Sequence, residues 1–537
     1  MLKGQGLQRR AAGLLVALVG AAGGTQAAMT ENLATSVTAM SLGNAVTADP
    51  PGIESIHFNP AGLARLEGQQ KYDSFFAARF RAWAEFSKPE GFSIGGWTDD
   101  PIAGTHTGKF RQTLYVPFHG VPGSSFPVLV GAGLGFSYKP DNSPFTFATA
   151  TYLPQAVGFE RTDSDDPARF DGRMAVIQRL VYLSPSVGYK VNDQLSVGIA
   201  VPVAHQGFAL DTDMRTPNDF LGIVGKLQQG FCPEDGGNPI DMFMFGLCSG
   251  GKEGRLNPFK KAARMQIDAS AAVDLTMNAG VLWEPYEWIS IGGVYRGGSD
   301  SVLRGTYRFD TEPMLREFSA GLYKSLLGPM LASMFGIPPN IPAVQEGSMT
   351  MVLPHPRHFQ VGVALKPTRW LQFNVDANYA RWSSWDTLKI KFDQNVQLLE
   401  MLRLFGQPDP SVLNLPRGYK SIVHWGFGLQ LSPTNRLKLR FGYEPRKTSI
   451  PNNVLDLIAP LPTLNIYSAG FQWKLSDKTD INVGFSVTQG KFNLPANTSC
   501  ALNCDKFFNV IYNPYAGLDV KGGNSLQYGG ITINQKF

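Results

Sequence analysis

Asp480-Ile481-Asn482-Val483-Gly484-Phe485-Ser486-Val487-Thr488 alternates without a break, with Ile, Val, Phe and Val at the odd positions and polar or small residues between them. Side chains along a β-strand point to opposite faces in turn, so this run is a strand with one greasy and one wet face. The pattern recurs upstream. Leu437, Leu439, Phe441 and Tyr443 alternate with Lys438, Arg440 and Gly442. Leu371, Phe373, Val375 and Tyr379 alternate with Gln372, Asn374, Asp376 and Asn378. Ile267, Ala269, Val273, Leu275 and Val281 alternate with Asp268, Ser270, Asp274, Thr276 and Asn278, and Leu195, Val197, Ile199 and Val201 with Ser196, Gly198 and Ala200.

These runs are about 10 residues or longer, whereas soluble strands have about 5–6. A tilted strand crosses a bilayer in roughly 9–11 residues. Two-faced strands of that length predict an all-β, transmembrane antiparallel β-barrel, closed because an edge in hydrocarbon would leave backbone groups without partners. The connections agree. Short links rich in Pro, Asn and Asp, such as Val191-Asn192-Asp193-Gln194 and Ser432-Pro433-Thr434-Asn435, alternate with long ones at 214–262, 310–348, 394–417, 451–462 and 494–523. Short periplasmic turns and long external loops are the barrel pattern. The count is about 14 strands, near 71–88, 111–119, 128–161 (interrupted), 173–191, 194–213, 263–284, 287–309, 349–366, 370–393, 418–432, 435–450, 463–476, 479–493 and 524–537.

Composition sets the outer limits. Only 17% of the 537 residues are charged, against roughly 25% in soluble domains. Mean hydropathy is −0.10 and no later apolar run reaches helix-spanning length, which excludes a helical membrane protein. Three of the +5 formal charges, Lys3, Arg9 and Arg10, fall in the first ten residues, so no basic surplus points to nucleic acid. With the apolar stretch 11–23 and Thr25-Gln26-Ala27 they form an export leader, 1–27. Residues 28–70 have no clean alternation and precede the first strand; they are either a plug inside the barrel or an unstructured lead-in. The barrel itself then spans 71–537. Cys232, Cys248, Cys500 and Cys504 form two close pairs in external loops, the spacing of two local disulfides in an exported chain, with a zinc site as the rival reading.

Catalytic motifs lack their context. Gly91-Phe92-Ser93-Ile94-Gly95 matches G-x-S-x-G, but that nucleophile needs a strand-to-helix elbow in an α/β sheet. His355 and His358 flank Pro356 and read as structural rather than as a metal site. Gly131, Gly133 and Gly135, with Pro140, Pro144 and Pro154 after them, predict a bent strand with broken ladder bonds and a local gap in the wall. His424, Lys438 and Arg440 fall on inward faces with Asp268, Asp274, Asp376 and Asp480; they make either a balanced lumen network or a seat for an acidic head group. In the loop at 310–348, Leu315, Phe318, Leu322, Leu326, Met330, Met334 and Phe335 recur at helical spacing, as do Phe220, Leu221, Ile223, Val224 and Leu227 in the loop at 214–262. Such helices pack on each other as an ordinary lid or as a greasy groove that takes ligand.

Ser55-Ile56-His57-Phe58-Asn59-Pro60-Ala61-Gly62-Leu63 carries an Asn-Pro-Ala signature before the first strand. It resembles that of the FadL-type outer-membrane transporters of long-chain fatty acids and other hydrophobic compounds. Leu353-Pro354, Trp382-Ser383, Leu388, the stretch from Phe441-Gly442-Tyr443 to Ser449-Ile450-Pro451, and the terminal Phe537 are similar in order and spacing. The resemblance implies a fourteen-stranded barrel with an N-terminal plug carrying Asn59, Pro60 and Ala61. It implies capture of ligand in a groove between the two helical loops and a deeper pocket beside the plug. It also implies release into the membrane through a kinked third strand, placed here within 128–161. Arg417 and Lys420 lie near one of the family's basic positions; Thr212 stands near the other, and Arg446 replaces an acidic residue.

The function expected is therefore uptake of fatty acids or other hydrophobic compounds across a Gram-negative outer membrane. The protein would be a monomer among lipid and lipopolysaccharide, needing no cofactor or metal. Ligand residues would be Leu315, Phe318, Leu322, Leu326, Met330, Phe335, Arg417, His424 and Arg440. A lipid-modifying enzyme and a general polar porin are the competing classes.

Overall fold

A computed structural model describes residues 35–233, 238–401, 408–458, 461–505 and 513–537; the expected leader, 1–27, lies outside them. Fourteen antiparallel strands close into a barrel. They are β1 (Gln69–Ser87), β2 (Phe110–Gln112, then Leu129–Tyr138), β3 (Phe145–Arg161), β4 (Met174–Leu183, then Ser186–Lys190) and β5 (Leu195–Ala200, then Val203–Met214). β6 (Ala263–Leu275, then Asn278–Tyr286), β7 (Ile289–Arg296, then Ser299–Thr311), β8 (Val344–His355, then His358–Thr368) and β9 (Leu371–Ala380, then Thr387–Phe392) follow. β10 (Val412–Pro416, then Ile422–Leu431), β11 (Leu437–Arg446), β12 (Leu464–Lys474), β13 (Thr479–Leu494) and β14 (Asp519–Lys536) complete the wall. β14 pairs with β1 from Gln70↔Lys536 to Ser87↔Asp519, which closes the ring and leaves no edge for lipid. Outward positions carry exposed Phe75, Val130, Val281, Trp283, Val361, Phe441 and Phe485. No helix among the described residues is long and apolar enough to cross a membrane.

The first strand falls where expected, but the second and third differ. Residues 111–119 are not one strand, and 128–161 is two. Leu129–Tyr138 turns at 139–144 and returns as β3, pairing Leu134↔Thr151 to Tyr138↔Phe147. Pro140 and Pro144 therefore sit in a short turn, where missing N–H groups cost no ladder bond. Gly131, Gly133 and Gly135 belong to β2 and face inward. A Cβ at Gly131 or Gly135 would run into the rings of Phe76 or Tyr72. They allow close packing against β1 rather than a kink.

The real irregularity is a belt. β4 to β8 are each interrupted, at Ser184-Pro185, Val201-Pro202, Thr276-Met277, Gly297-Gly298 and Pro356-Arg357, and the register of β3 shifts between Tyr152 and Gln155, around Pro154. The breaks are neighbours, because the pairs beside them link up: Ser186↔Ala200, Ala200↔Asn278, Asn278↔Arg296 and Arg296↔His358. Proline has no N–H to give the ladder. Staggered bonds replace it, such as Val201 N–H to Pro185 C=O at 3.0 Å and Gly297 N–H to Met277 C=O at 2.7 Å.

Residues 35–66 contact inward-facing residues of strands on opposite sides of the wall. They form α1 (Val37–Ser41), α2 (Ser55–Phe58) and a 3-10 turn, Pro60–Arg65. The Ser36 hydroxyl caps α1 by accepting from Ala39 N–H at 3.2 Å. Inward glycines make room for this backbone. Gly43 has φ +62°, and a Cβ there would stand 2.7 Å from the Phe427 carbonyl. On the opposite side a Cβ at Gly188 would stand 2.7 Å from Ala64 N.

Candidate functional site

The outermost apolar space lies between two helical loops. α3 (Asp219–Phe231) starts at Asn218, whose side chain accepts from Leu221 N–H at 2.9 Å, and α4 (Pro239–Phe243) follows in the same loop. Cys232 and Cys248 are joined, tying the end of α3 back to this loop, and Cys500 is joined to Cys504. α5 (Pro313–Leu322) and α6 (Gly328–Met334) form the second helical loop. Phe220 meets Phe335 at 5.2 Å between ring centres. With Leu221, Leu315, Phe318 and Leu398 they line a groove with about 80 Å³ of free space.

Below it, inward residues of five strands form a second pocket of about 70 Å³. Phe159 of β3, Ile177 of β4 and Phe208 of β5 face Trp385 and Tyr419, which stack at 5.7 Å and 11°. Arg417 is the charged side chain in this lining, and its guanidinium is paired with Asp456. Burial, reinforced by neighbouring Asp456, pushes the Asp171 carboxyl well above the usual carboxylate range. The groove and the pocket belong to one contiguous apolar cluster that includes Leu210, Met265, Ile267, Phe309, Leu315 and Phe318.

A third space, about 50 Å³, shares Phe80, Val157 and Leu461 with the second and adds Gln112, Leu129 and Ala156. It lies against a seam in the wall. β3 pairs with β2 below, at Phe147–Thr151, and above, at Phe159–Arg161. Between these, among the described residues, Thr113 N–H to Gly158 C=O at 3.2 Å is the one backbone bond joining residues 152–158 to the second strand. The missing wall segment, 113–128, runs outside instead. Ile177, Phe208 and Leu210 face the lumen, so Val176, Gly207 and Ala209 face outward, and Tyr115 packs on these last three. The Gln112 amide crosses to β1 in place of the ladder, donating to Phe80 C=O at 2.8 Å and accepting from its N–H at 3.4 Å.

At the belt of breaks sits a polar cavity of about 30 Å³, lined by His57, Arg179, Arg296, His355 and His358, with no acid in the lining. Asp274 pairs with Arg179 beside it. His57 Nε2 lies 2.7 Å from Arg296 Nη1, and burial together with that guanidinium holds the His57 pKa well below its usual value, so its imidazole is neutral at pH 7. Two residues on, Asn59 donates to Thr47 C=O at 2.8 Å and to Val281 C=O at 3.1 Å and accepts from Ala61 N–H at 3.1 Å. Pro60 and Ala61 press on Gly198 of β5, where a Cβ would strike the Pro60 carbonyl.

Several expected ligand residues are placed elsewhere. Leu315, Phe318 and Phe335 line the groove and Leu322 is buried behind it, but Leu326, in the link before α6, and Met330, on α6, are 71% and 58% exposed. Arg417 reaches the inner pocket already engaged by Asp456. His424 and Arg440 do not reach any of the apolar spaces. His424 Nε2 lies 3.2 Å from Glu444, and Arg440 holds Gln430, Gln472 and Asn482 at 2.7–2.9 Å. Both serve the lumen network. Gly91–Gly95 forms a turn in which Gly95 N–H donates to Asp219 at 2.7 Å, not a strand-to-helix elbow. Among the described residues no group of three or more His, Cys, Asp or Glu is placed to hold a metal ion. Sequence reading missed the Trp385–Tyr419 stack; it expected a gap in the wall within 128–161 but not the detour of 113–128, for which the cluster Pro117, Pro122 and Pro127 beside β2 was a signal.

The fold is that of known outer-membrane channels. A Pseudomonas aeruginosa FadL homologue superposes with a TM-score of 0.64 at 15% identity, covering 95% of this chain and 100% of the other. The Ralstonia pickettii toluene transporter TbuX gives 0.56 at 14%, covering 93% and 98%, and the Pseudomonas putida toluene transporter TodX gives 0.57 at 12%, covering 95% and 100%. No curated protein matches the chain in sequence. The profile of the family described as "Outer membrane protein transport protein (OMPP1/FadL/TodX)" matches residues 13–537. The chain thus belongs to the OMPP1/FadL/TodX family of outer-membrane transport proteins.

Proposed function

We propose that the protein carries hydrophobic small molecules, fatty acids or hydrocarbons, from the outside of the cell into the outer membrane by a sideways route. The observation that carries this reading is the order of the apolar spaces: loop groove, inner pocket, then the space at the β2–β3 seam, the last two sharing Phe80, Val157 and Leu461. Residues 35–66 act as a plug that bars the polar lumen, seated on inward glycines and on Asn59. Cargo is drawn in by burial of apolar surface, roughly 25 cal/mol per Å². The free spaces are smaller than a long acyl chain, so cargo advances by displacing side chains. Exit through the seam breaks at most the one backbone bond there, Thr113 N–H to Gly158 C=O.

Expression in a Gram-negative host lacking its own hydrophobe transporter tests this with radiolabelled oleate and radiolabelled toluene. Uptake of at least one above vector-only cells is expected. Phe208→Trp, which fills the inner pocket, should abolish that uptake while a folded barrel persists on a heat-modifiability gel. Uptake no greater than in vector-only cells, or rapid entry of small sugars through the intact barrel, defeats the proposal.

A further inference from the structure

The outer faces of β4 and β5 carry side chains that do not suit lipid. Gln178 and His205 point outward, yet both are buried, at 6% and 1% exposure. Residues 113–128 cover them. The Gln178 amide accepts from Tyr115 N–H at 3.2 Å and donates to Tyr115 C=O at 2.7 Å. The Tyr115 ring lies 5.6 Å from that of His205, and Phe118 approaches the same imidazole at 5.7 Å. At the far end the Tyr115 hydroxyl donates to Asp268 of β6 at 2.5 Å. Two outward glycines form the trough in which this strap lies. A Cβ at Gly158 would strike the Thr113 carbonyl, and one at Gly207 would strike the Tyr115 ring.

Three further observations bear on what the strap does. It is rooted at the seam, where Gln112 and Phe126 exchange backbone bonds, each 2.7 Å. An apolar cluster spans the wall at this point: Val37 and Met40 of the inner segment with Phe76, Leu129 and Leu153, and Leu114 of the strap packs against this cluster, as do Ala156 and Leu180. Among the described residues, no backbone–backbone bond joins the strap to β4, β5 or β6. Its hold there is side-chain contact, each bond contributing about 1 kcal/mol. A segment so fastened lifts without disturbing the barrel, since local opening needs only its own few contacts to break.

We propose that residues 113–128 form a lid on the membrane side of the seam, stoppered by Leu114, latched by Tyr115 to Gln178 and Asp268, and hinged at the Gln112–Phe126 pair. This rests on the sideways route proposed above. Closed, the lid keeps lipid out of the inner spaces and keeps cargo in. Lifted, it opens them to the bilayer.

The pair Tyr115→Cys and Gly207→Cys tests it, because the two positions are in contact across the trough. After oxidation, uptake of radiolabelled oleate by cells carrying the double variant is expected to fall to the vector-only level. Dithiothreitol should restore it to that of the Tyr115→Cys single variant, while wild type under the same treatments stays active. Leu114→Ala, which weakens the stopper, should raise initial uptake by a factor of about 2 to 5. A heat-modifiability gel establishes that each barrel is folded. If the cross-linked protein takes up oleate as fast as the single variant, the lid is overturned and the sideways route survives. If wild type takes up no hydrophobe, the route and the lid fall together.

Discussion

The barrel wall has two unlike arcs. β11 to β14 and β1 run unbroken, and their inward glycines Gly442, Gly470 and Gly484 touch the backbone or side chains of α1 and the residues after it. From β2 to β10 every strand is interrupted or shifts register. The polar cavity and the inner pocket draw mainly on the broken arc, and the seam lies where the two arcs meet, its space lined on the other side by β1, β12, β13 and β14. A continuous ladder satisfies every backbone group and leaves nowhere for a ligand to pass. Breaks release inward side chains from strict alternation, so chemistry collects there while the unbroken arc supplies rigidity.

If that division holds, the largest effect of a single change should come from the unbroken arc. Glu444 of β11 is fully buried and accepts from Arg446 at 2.5 and 3.1 Å, from Asn44 of the inner segment at 2.8 Å, and lies 3.2 Å from His424. Glu444→Ala leaves the buried Arg446 guanidinium without this carboxylate, and breaking such a pair costs about 3–5 kcal/mol. The denaturant midpoint of the detergent-solubilised barrel should drop accordingly. An unchanged midpoint would mean that this arc is not what carries the stability.

A somewhat smaller effect, of a different kind, is expected on the other side. Asn59→Leu removes three hydrogen bonds, to Thr47 C=O, Val281 C=O and Ala61 N–H, a loss of about 2–3 kcal/mol. The barrel midpoint should move little, because no strand contributes Asn59. The inner segment should loosen, seen as faster amide exchange across 35–66 and as entry of small sugars. A drop in barrel midpoint as large as that of Glu444→Ala would erase the distinction between the arcs.

How far the sequence discloses this division can be judged from particular residues. Alternation such as 480–488 is unmistakable because burial in lipid on one face and water on the other enforces it. It shows which strands exist and, through the length of their links, which end is outside. The same logic fails where the environment is not lipid against water. Gln178 and His205 face outward under a strap, so period two gives no hint of their partner. The row of prolines and glycines at 154, 185, 202, 297 and 356 is visible, but only pairing register turns isolated residues into a belt. Inward cations such as His424 and Arg440 read as candidate ligand groups because alternation gives a face and not a neighbour; their carboxylate and amide partners lie on adjacent strands or further away in sequence. The Asn-Pro-Ala stretch was legible as a motif, whereas its hydrogen bonds to Thr47 and Val281 were not.

The last expected effect concerns pH, and it probes how the inner segment is held between the arcs. Glu54 stands at the start of α2, buried, and burial pushes its carboxyl from the ordinary 4.5 up to about 8, an effect the nearby Arg440 partly offsets. Seated, Glu54 is therefore protonated at neutral pH; displaced into water, it ionises. Below about 4.5 both states hold the proton and seating is at full strength. Between about 4.5 and about 8 the seated state binds more protons, so seating weakens as pH rises, by at most about 1.4 kcal/mol per pH unit. Above about 8 the loss levels off. Amide exchange across 35–66, corrected for the intrinsic base-catalysed rate, should be faster at about pH 8 than at about pH 6. Glu54→Gln, neutral throughout, should flatten that dependence, while the barrel midpoint of both proteins responds alike. If the variant keeps the wild-type slope, the proton that matters sits on another group, and the hold on the inner segment is to be sought in the glycines and Asn59 alone.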